Sequence, residues 1–261
     1  MSTALHFVLM KDQRARDASV VMPVHNEELM LPITLPTVFN LKPREIILVE
    51  DRCEDRTDEI AGDIGNRYPD VKLVRIRVSQ NSDWTHHLNF LYDLGIRNAS
   101  SEIVLLTQAD LLLDSRQILK NIHFAENGIV NFTETYRGNL WSTLVIRFLS
   151  MLPIRKFPGS VIAMNRSIYL RDNFRSKDLR WFDALIFRRF VIQKNAPCFV
   201  INSRNVNLRP YPKARLYEMG MDNYKDGKAM WKVLLFAMTR GQPLVFAGYI
   251  HARNESPRQM H

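Results

Sequence analysis

Three stretches place acids where the chain leaves an apolar run: Glu27 and Glu28 after ASVVMPV, Glu50 and Asp51 after EIILV, and Asp110 after EIVLL. In an open parallel sheet the ligand crevice lies outside the carboxyl ends of the strands, so acids at such exits can face a ligand. Asp110 organises the rest, because Ile103 to Leu106 is a continuous apolar run and Gln108 and Ala109 keep the following turn small. Each acid alone could serve a turn or a helix start. Taken together, the three exits converge on one crevice. A fourth acid, Asp183, stands in a segment with helical spacing. In DLRWFDALIFRRFVIQ it shares a helical face with Phe187 and Phe190, at i, i+4 and i+7, with Arg180 and Arg188 as alternative ion-pair partners. Neither G-x-G-x-x-G nor a P-loop occurs at any exit, which weighs against a Rossmann dehydrogenase or a P-loop kinase.

The elements that must position these acids alternate. Ala18 to Val24 reads as a first strand, with Asn26 predicted to cap a helix beginning near Glu27 and two acids in its first turn complementing the helix dipole. Glu45 to Val49 is a second strand, followed by a polar turn and a helix. A third strand, Val71 to Val78, follows the Tyr68-Pro69-Asp70 turn, and a helix around His86 to Leu94 precedes the strand at Ile103. This alternation predicts an α/β domain, a mostly parallel sheet with helices on both faces.

With 261 residues, 46% of them hydrophobic, the chain can bury a core as one large domain or as a domain with an appendage. Cys53 and Cys198 offer no metal-ligand spacing and at most one disulfide, which reads as a reducing, cytoplasmic compartment. The opening MSTALHFVLMKDQRARD has too short an apolar core for a secretory signal, and no run of about 20 apolar residues reads as a membrane span. Charge is uneven. Residues 1–130 hold 14 Lys+Arg against 19 Asp+Glu, and residues 131–261 hold 22 against 8. The basic second half suits phosphate-bearing ligands or anionic headgroups. Without a helix-turn-helix, a zinc-ligand set or an RNP-like segment, nucleic acid is not expected as a partner.

VVMPVHNEE (Val20 to Glu28), ILVEDRCEDRTDEIA (Ile47 to Ala61), NSDWTHHLNF (Asn81 to Phe90) and EIVLLTQAD (Glu102 to Asp110) stand in the order, and near the spacing, of one family. This order resembles the nucleotide-diphosphosugar-binding half of family 2 glycosyltransferases with the GT-A fold. PGSVIAMNRSIYLRDNF (Pro158 to Phe174) is similar to the family's acceptor-side strand and turn, and the resemblance covers roughly Ser19 to Val200. It implies that Pro23, His25 and Glu27 line the base pocket, with His25 where an aromatic or small residue is usual. It implies that Asp51 contacts the base or ribose. Asn89 falls on the asparagine of the N-x-G-x-x-x-x-x-N segment, with Asp83 in place of its glycine. Asp110 matches the last acid of the DXD-like motif that holds Mn2+ or Mg2+ bridging the donor diphosphate, while Gln108 replaces the first acid and could supply a carbonyl oxygen. Arg137, Arg204 and Arg209 are candidates to add to the diphosphate clamp. Asp183 matches the acid that deprotonates the acceptor hydroxyl, which implies direct displacement with inversion.

The expectation is therefore a tail over 1–17, a GT-A domain over 18–210 and a basic helical extension over 211–261. The implied activity moves a sugar from a UDP- or GDP-sugar to a hydroxyl or phosphate of a glycan or lipid-linked acceptor. The departures at Gln108 and Asp83 leave a catalytically inactive scaffold or sugar-binding protein as the alternative. Two apolar segments, Leu140 to Leu152 and Met230 to Ile250, fit interfacial helices on the inner, anionic face of the membrane. They fit equally the core of a second layer, or a homodimer contact.

Overall fold

The computed structural model describes residues 17–82, 87–136, 141, 144, 161–171, 197–209, 213–225 and 227–255. They fall into two compact units, one drawn from 17–134 and 161–206, the other from 135–136, 141, 144 and 207–255.

The first unit is built on strands β1 (Ala18–Val24), β2 (Glu45–Asp51), β3 (Lys72–Val78), β4 (Ile103–Leu106), β5 (Leu111–Leu112), β6 (Ile129–Tyr136), β7 (Val161–Asn165) and β8 (Cys198–Asn207). The sheet order is β3-β2-β1-β4-β7-β6-β8-β5. β1, β2, β3 and β4 run parallel, and β7 is antiparallel to both β4 and β6. Each parallel neighbour is reached through a helix: α1 (Leu31–Phe39), α2 (Thr57–Asn66) and α3 (His87–Asn98). α4 (Ser115–Asn121), a 3-10 turn (Ile122–Glu126) and α5 (Arg166–Arg171) complete the unit.

Alternate residues of the parallel strands build two cores, as the period of two requires. Val20, Met22, Ile46, Leu48 and Leu105 face Leu31, Leu35 and Val38 of α1 and Ala61 of α2. Val21, Ile47, Val49, Val104 and Leu106 face Leu91, Tyr92 and Ile96 of α3. A sheet buried on both faces explains why these strands read as continuous apolar runs. α3 lies so close to β1 that a Cβ on Gly95 would run into the Val21 side chain.

The helix after β1 differs from the expectation. It begins at Leu31, with Met30 at its N-cap, a proline in its opening positions and no acid in its first turn. Asn26 caps nothing there. It takes a left-handed φ of 51°, and its side-chain oxygen accepts the Glu54 amide at 2.8 Å.

In the second unit α6 (Lys213–Lys225), α7 (Met230–Arg240) and α8 (Pro243–Glu255) pack around Val233, Ala237, Val245 and Tyr249. Gly220 and Gly248 bring the backbones of α6 and α8 into contact, since a Cβ on either would meet a carbonyl oxygen of the other helix. No described helix is long and apolar enough to cross a membrane.

Candidate active site

The chain lays down β1, β2 and β3 in one direction, then returns to the other side of β1 for β4. That reversal is the switch point at which open α/β sheets form their ligand crevice. β1 pairs with β2 as far as Val24, but with β4 only as far as Val21. Pro23 lies beyond the last β4 pair on the same side as Val21, so its missing N–H costs the ladder nothing there.

The exit loops of β1 and β2 are joined residue by residue. His25 Nδ1 donates to the Asp51 carbonyl at 2.6 Å. The Glu27 amide donates to Thr57 Oγ1 at 2.6 Å, and the Glu28 amide donates to Asp55 Oδ2 at 3.0 Å. The Arg56 amide returns a bond to Glu28 Oε2 at 3.2 Å. With Asn26 and Glu54 added, five bonds turn two loops into one platform.

Of the platform's two buried acids, Glu27 and Asp51, Asp51 is the more deeply buried. Arg52 holds it with two bonds, Nε to Oδ1 at 2.8 Å and Nη2 to Oδ2 at 2.9 Å. Arg52 turns back on its neighbour through a left-handed φ of 48°. His87, opening α3, donates from Nε2 to Asp51 Oδ1 at 2.9 Å, while its Nδ1 accepts the Ser82 amide at 3.0 Å. The Ser82 amide therefore fixes the tautomer that points a proton at Asp51. Burial pushes the Asp51 pKa up, but the hydrogen bonds from Arg52 and His87 outweigh it and hold the carboxyl below its ordinary value.

The β4 exit is fixed from three elements. The Thr107 amide donates to the Val21 carbonyl at 3.1 Å, the Tyr92 hydroxyl to the Thr107 carbonyl at 3.0 Å, and the Thr34 hydroxyl to the Ala109 carbonyl at 2.6 Å. Gln108 and Asp110, both half-buried, flank that anchored Ala109. A carboxylate and an amide carbonyl are hard oxygen donors that suit Mg2+ or Mn2+, ions that bind through one or two carboxylates with substrate phosphates completing the shell. Among the described residues no group of three or more His, Cys, Asp and Glu could hold a metal unaided.

The other expected residues sort as follows. Glu27 and Asn89 are buried, the first in the platform and the second in the first turn of α3. Glu50 turns away from the crevice to Arg75, at 2.5 Å from its Nε, because alternate strand residues face opposite ways. Arg204 is exposed on β8, its amide tied to Asp114 Oδ2 at 2.9 Å, four residues beyond Asp110. Arg209 lies in the second unit, its amide bonded to Asn207 Oδ1 at 2.9 Å. Asp183, Arg137 and Asp83 lie outside the described residues. Cys53 and Cys198 are free thiols, both raised in pKa chiefly by burial. The sequence reading gave no role to Arg52, His87, Thr34 or Tyr92. Only the position of Arg52, next to Asp51, was a local signal.

The profile of glycosyl transferase family 2 matches residues 19–195, which contain the platform and the β4 exit. The chain belongs to that family. The undecaprenyl-phosphate 4-deoxy-4-formamido-L-arabinose transferase of Pectobacterium atrosepticum is 27% identical over 157 residues, 57% of this chain and 46% of the relative. This family 2 chain thus matches about half the length of that relative. Among solved structures, a mannosyltransferase from Pyrobaculum calidifontis in complex with GDP-Man and Mn2+ shares the fold with a TM-score of 0.64 at 18% identity, over 95% of this chain and 79% of that one. Glucosyl-3-phosphoglycerate synthase from Mycobacterium tuberculosis, with Mn2+, UDP and phosphoglyceric acid, aligns with a TM-score of 0.52 at 17% identity, over 92% and 80% of the two chains. The fold of this glycosyltransferase family member is the GT-A fold.

Proposed function

We propose that this chain transfers a sugar from a UDP- or GDP-sugar to a hydroxyl or phosphate oxygen of a lipid-linked acceptor, with inversion at the anomeric carbon. The observation that carries the reading is the pairing of a rigid two-loop platform around Asp51 with an anchored β4 exit presenting Asp110. Asp51, kept ionised by Arg52 and His87, accepts hydrogen bonds from the nucleoside. Pro23, His25, Glu27 and Asn89 shape the surface beside it. Asp110 and the Gln108 carbonyl would hold Mn2+ or Mg2+, whose charge would stabilise the departing diphosphate. Arg204 adds positive charge for the same group.

Asp183 takes the acceptor proton as the acceptor oxygen forms its bond to the anomeric carbon. The bond from that carbon to the diphosphate oxygen breaks on the opposite face, and its electrons leave with the nucleoside diphosphate. The nucleotides in the two neighbours support the donor class, and the undecaprenyl-phosphate acted on by the Pectobacterium relative supports a polyprenyl-phosphate acceptor.

A transfer assay tests this: a panel of UDP- and GDP-sugars, Mn2+ and a short-chain polyprenyl phosphate, with the product's anomeric configuration read by NMR. One donor class should give an inverted product. No transfer from any donor by folded protein, or retention of configuration, would overturn the reading.

A further inference from the structure

Exposed apolar surface in the second unit gathers on one helix. Met230, Trp231, Leu234, Leu235 and Met238 are all exposed on α7, at spacings of one, three, one and three residues that keep them in one stripe. Val233 and Ala237 on the opposite side fill the core of the three-helix unit, so the outward stripe is not needed for folding. Trp141 extends the stripe: its indole nitrogen donates to the Met238 carbonyl at 2.8 Å, while 59% of the side chain's residue surface stays open. Leu144 is 63% exposed as well. Monomeric proteins seldom leave so continuous an apolar stripe uncovered.

The surroundings of the stripe identify what covers it. Lys228 and Lys232 are exposed at the start of α7, and the Lys232 ammonium lies 5.5 Å from the Trp231 ring centroid. The exposed Arg253 places Nη1 3.1 Å from the Met230 sulfur. α7 itself carries no acid, and residues 207–261 hold nine Lys+Arg against four Asp+Glu. Two tryptophans with polar indole edges, apolar side chains between them and a cationic border match the layered chemistry of a bilayer interface, where acyl chains lie beneath anionic headgroups. A second copy of this chain would bring the same cations face to face.

We propose that the outward face of α7, with Trp141, docks on an anionic lipid bilayer, the helix lying in the plane of the interface. Trp231, Leu235 and Met238 enter the acyl boundary, and Lys228, Lys232 and Arg253 meet phosphate headgroups. The surface stands on the helix face itself and goes beyond the transfer reaction.

The test is flotation of the full chain with vesicles of zwitterionic lipid, with and without phosphatidylglycerol, containing neither acceptor lipid nor nucleotide. Binding is then read independently of transfer. The protein should float with the anionic vesicles at low salt and be partly released at high salt. Trp231→Glu with Leu235→Glu should weaken binding about tenfold or more while leaving the thermal midpoint unchanged, because both side chains are exposed. Lys228→Glu with Lys232→Glu should weaken it for anionic vesicles alone. Protein that stays at the bottom, or a Trp231→Glu/Leu235→Glu variant that floats like the parent, would overturn the proposal. So would sedimentation showing a dimer that the same variant disperses, in protein that binds no vesicle.

Discussion

His87 Nε2 lies 2.9 Å from Asp51 Oδ1, joining the start of α3 to the end of β2 across 36 residues of sequence. Because Arg52 grips the same carboxylate with two nitrogens, Asp51 is both anchored and held in its charged form. These bonds occupy Oδ1 twice and Oδ2 once, and in the proposed donor site the acceptor position left on Oδ2 would be the one offered to a nucleoside.

The charge of Asp51 sets a pH dependence with a definite sign. Its folded pKa lies below the ordinary value, so the stabilisation is fully present above the unfolded pKa of about 3.9 and is lost as pH falls through the folded pKa. Asp51→Asn should lower stability by about 2 kcal/mol at pH 7. Urea unfolding of both proteins at several pH values should show that gap closing as the medium becomes acid. A gap that stays constant below pH 4 would contradict the assignment.

Two helix glycines should respond in opposite ways to alanine. Gly95→Ala drives a methyl into Val21 and should cost about 1–3 kcal/mol, displacing α3 from β1. Gly62 on α2 has only the Arg75 guanidinium in ordinary contact at 3.6 Å, so Gly62→Ala should stabilise by about 0.5–1 kcal/mol. Denaturant midpoints of the two variants check this directly.

Gln108→Glu would restore a second carboxylate beside Asp110. If the β4 exit holds the metal, the Mn2+ concentration for half-maximal activity should fall about tenfold. A titration in which parent and variant need the same Mn2+ would remove Gln108 from the site.

Asp183→Asn should keep nucleotide affinity within about twofold and reduce kcat by about a hundredfold or more, as expected for loss of a general base. Equal losses in nucleotide binding and transfer would reassign Asp183 to the donor side.

Much of the first unit was legible because a strand buried on both faces writes its burial into consecutive residues. Ala18–Val24 and Ile103–Leu106 have the bounds that their apolar runs suggest. Asn26 was misread because its capping signal is local, whereas its actual partner, Glu54, is 28 residues away. The partners of Asp51 were invisible for the same reason, apart from adjacent Arg52. The reading of Glu50 as a crevice acid failed on strand alternation, which turns it to Arg75. In α7 the sequence showed an apolar excess, but only the packing of Val233 and Ala237 tells which side is left over.

The most direct test of the site is calorimetric binding of UDP and GDP to the intact chain, with Mn2+ and then with EDTA, repeated on Asp110→Ala. One nucleotide should bind in the presence of metal, and that binding should disappear with EDTA and in the variant. Binding that survives Asp110→Ala unchanged, or folded parent protein that binds neither nucleotide, would contradict a donor site at the β4 exit.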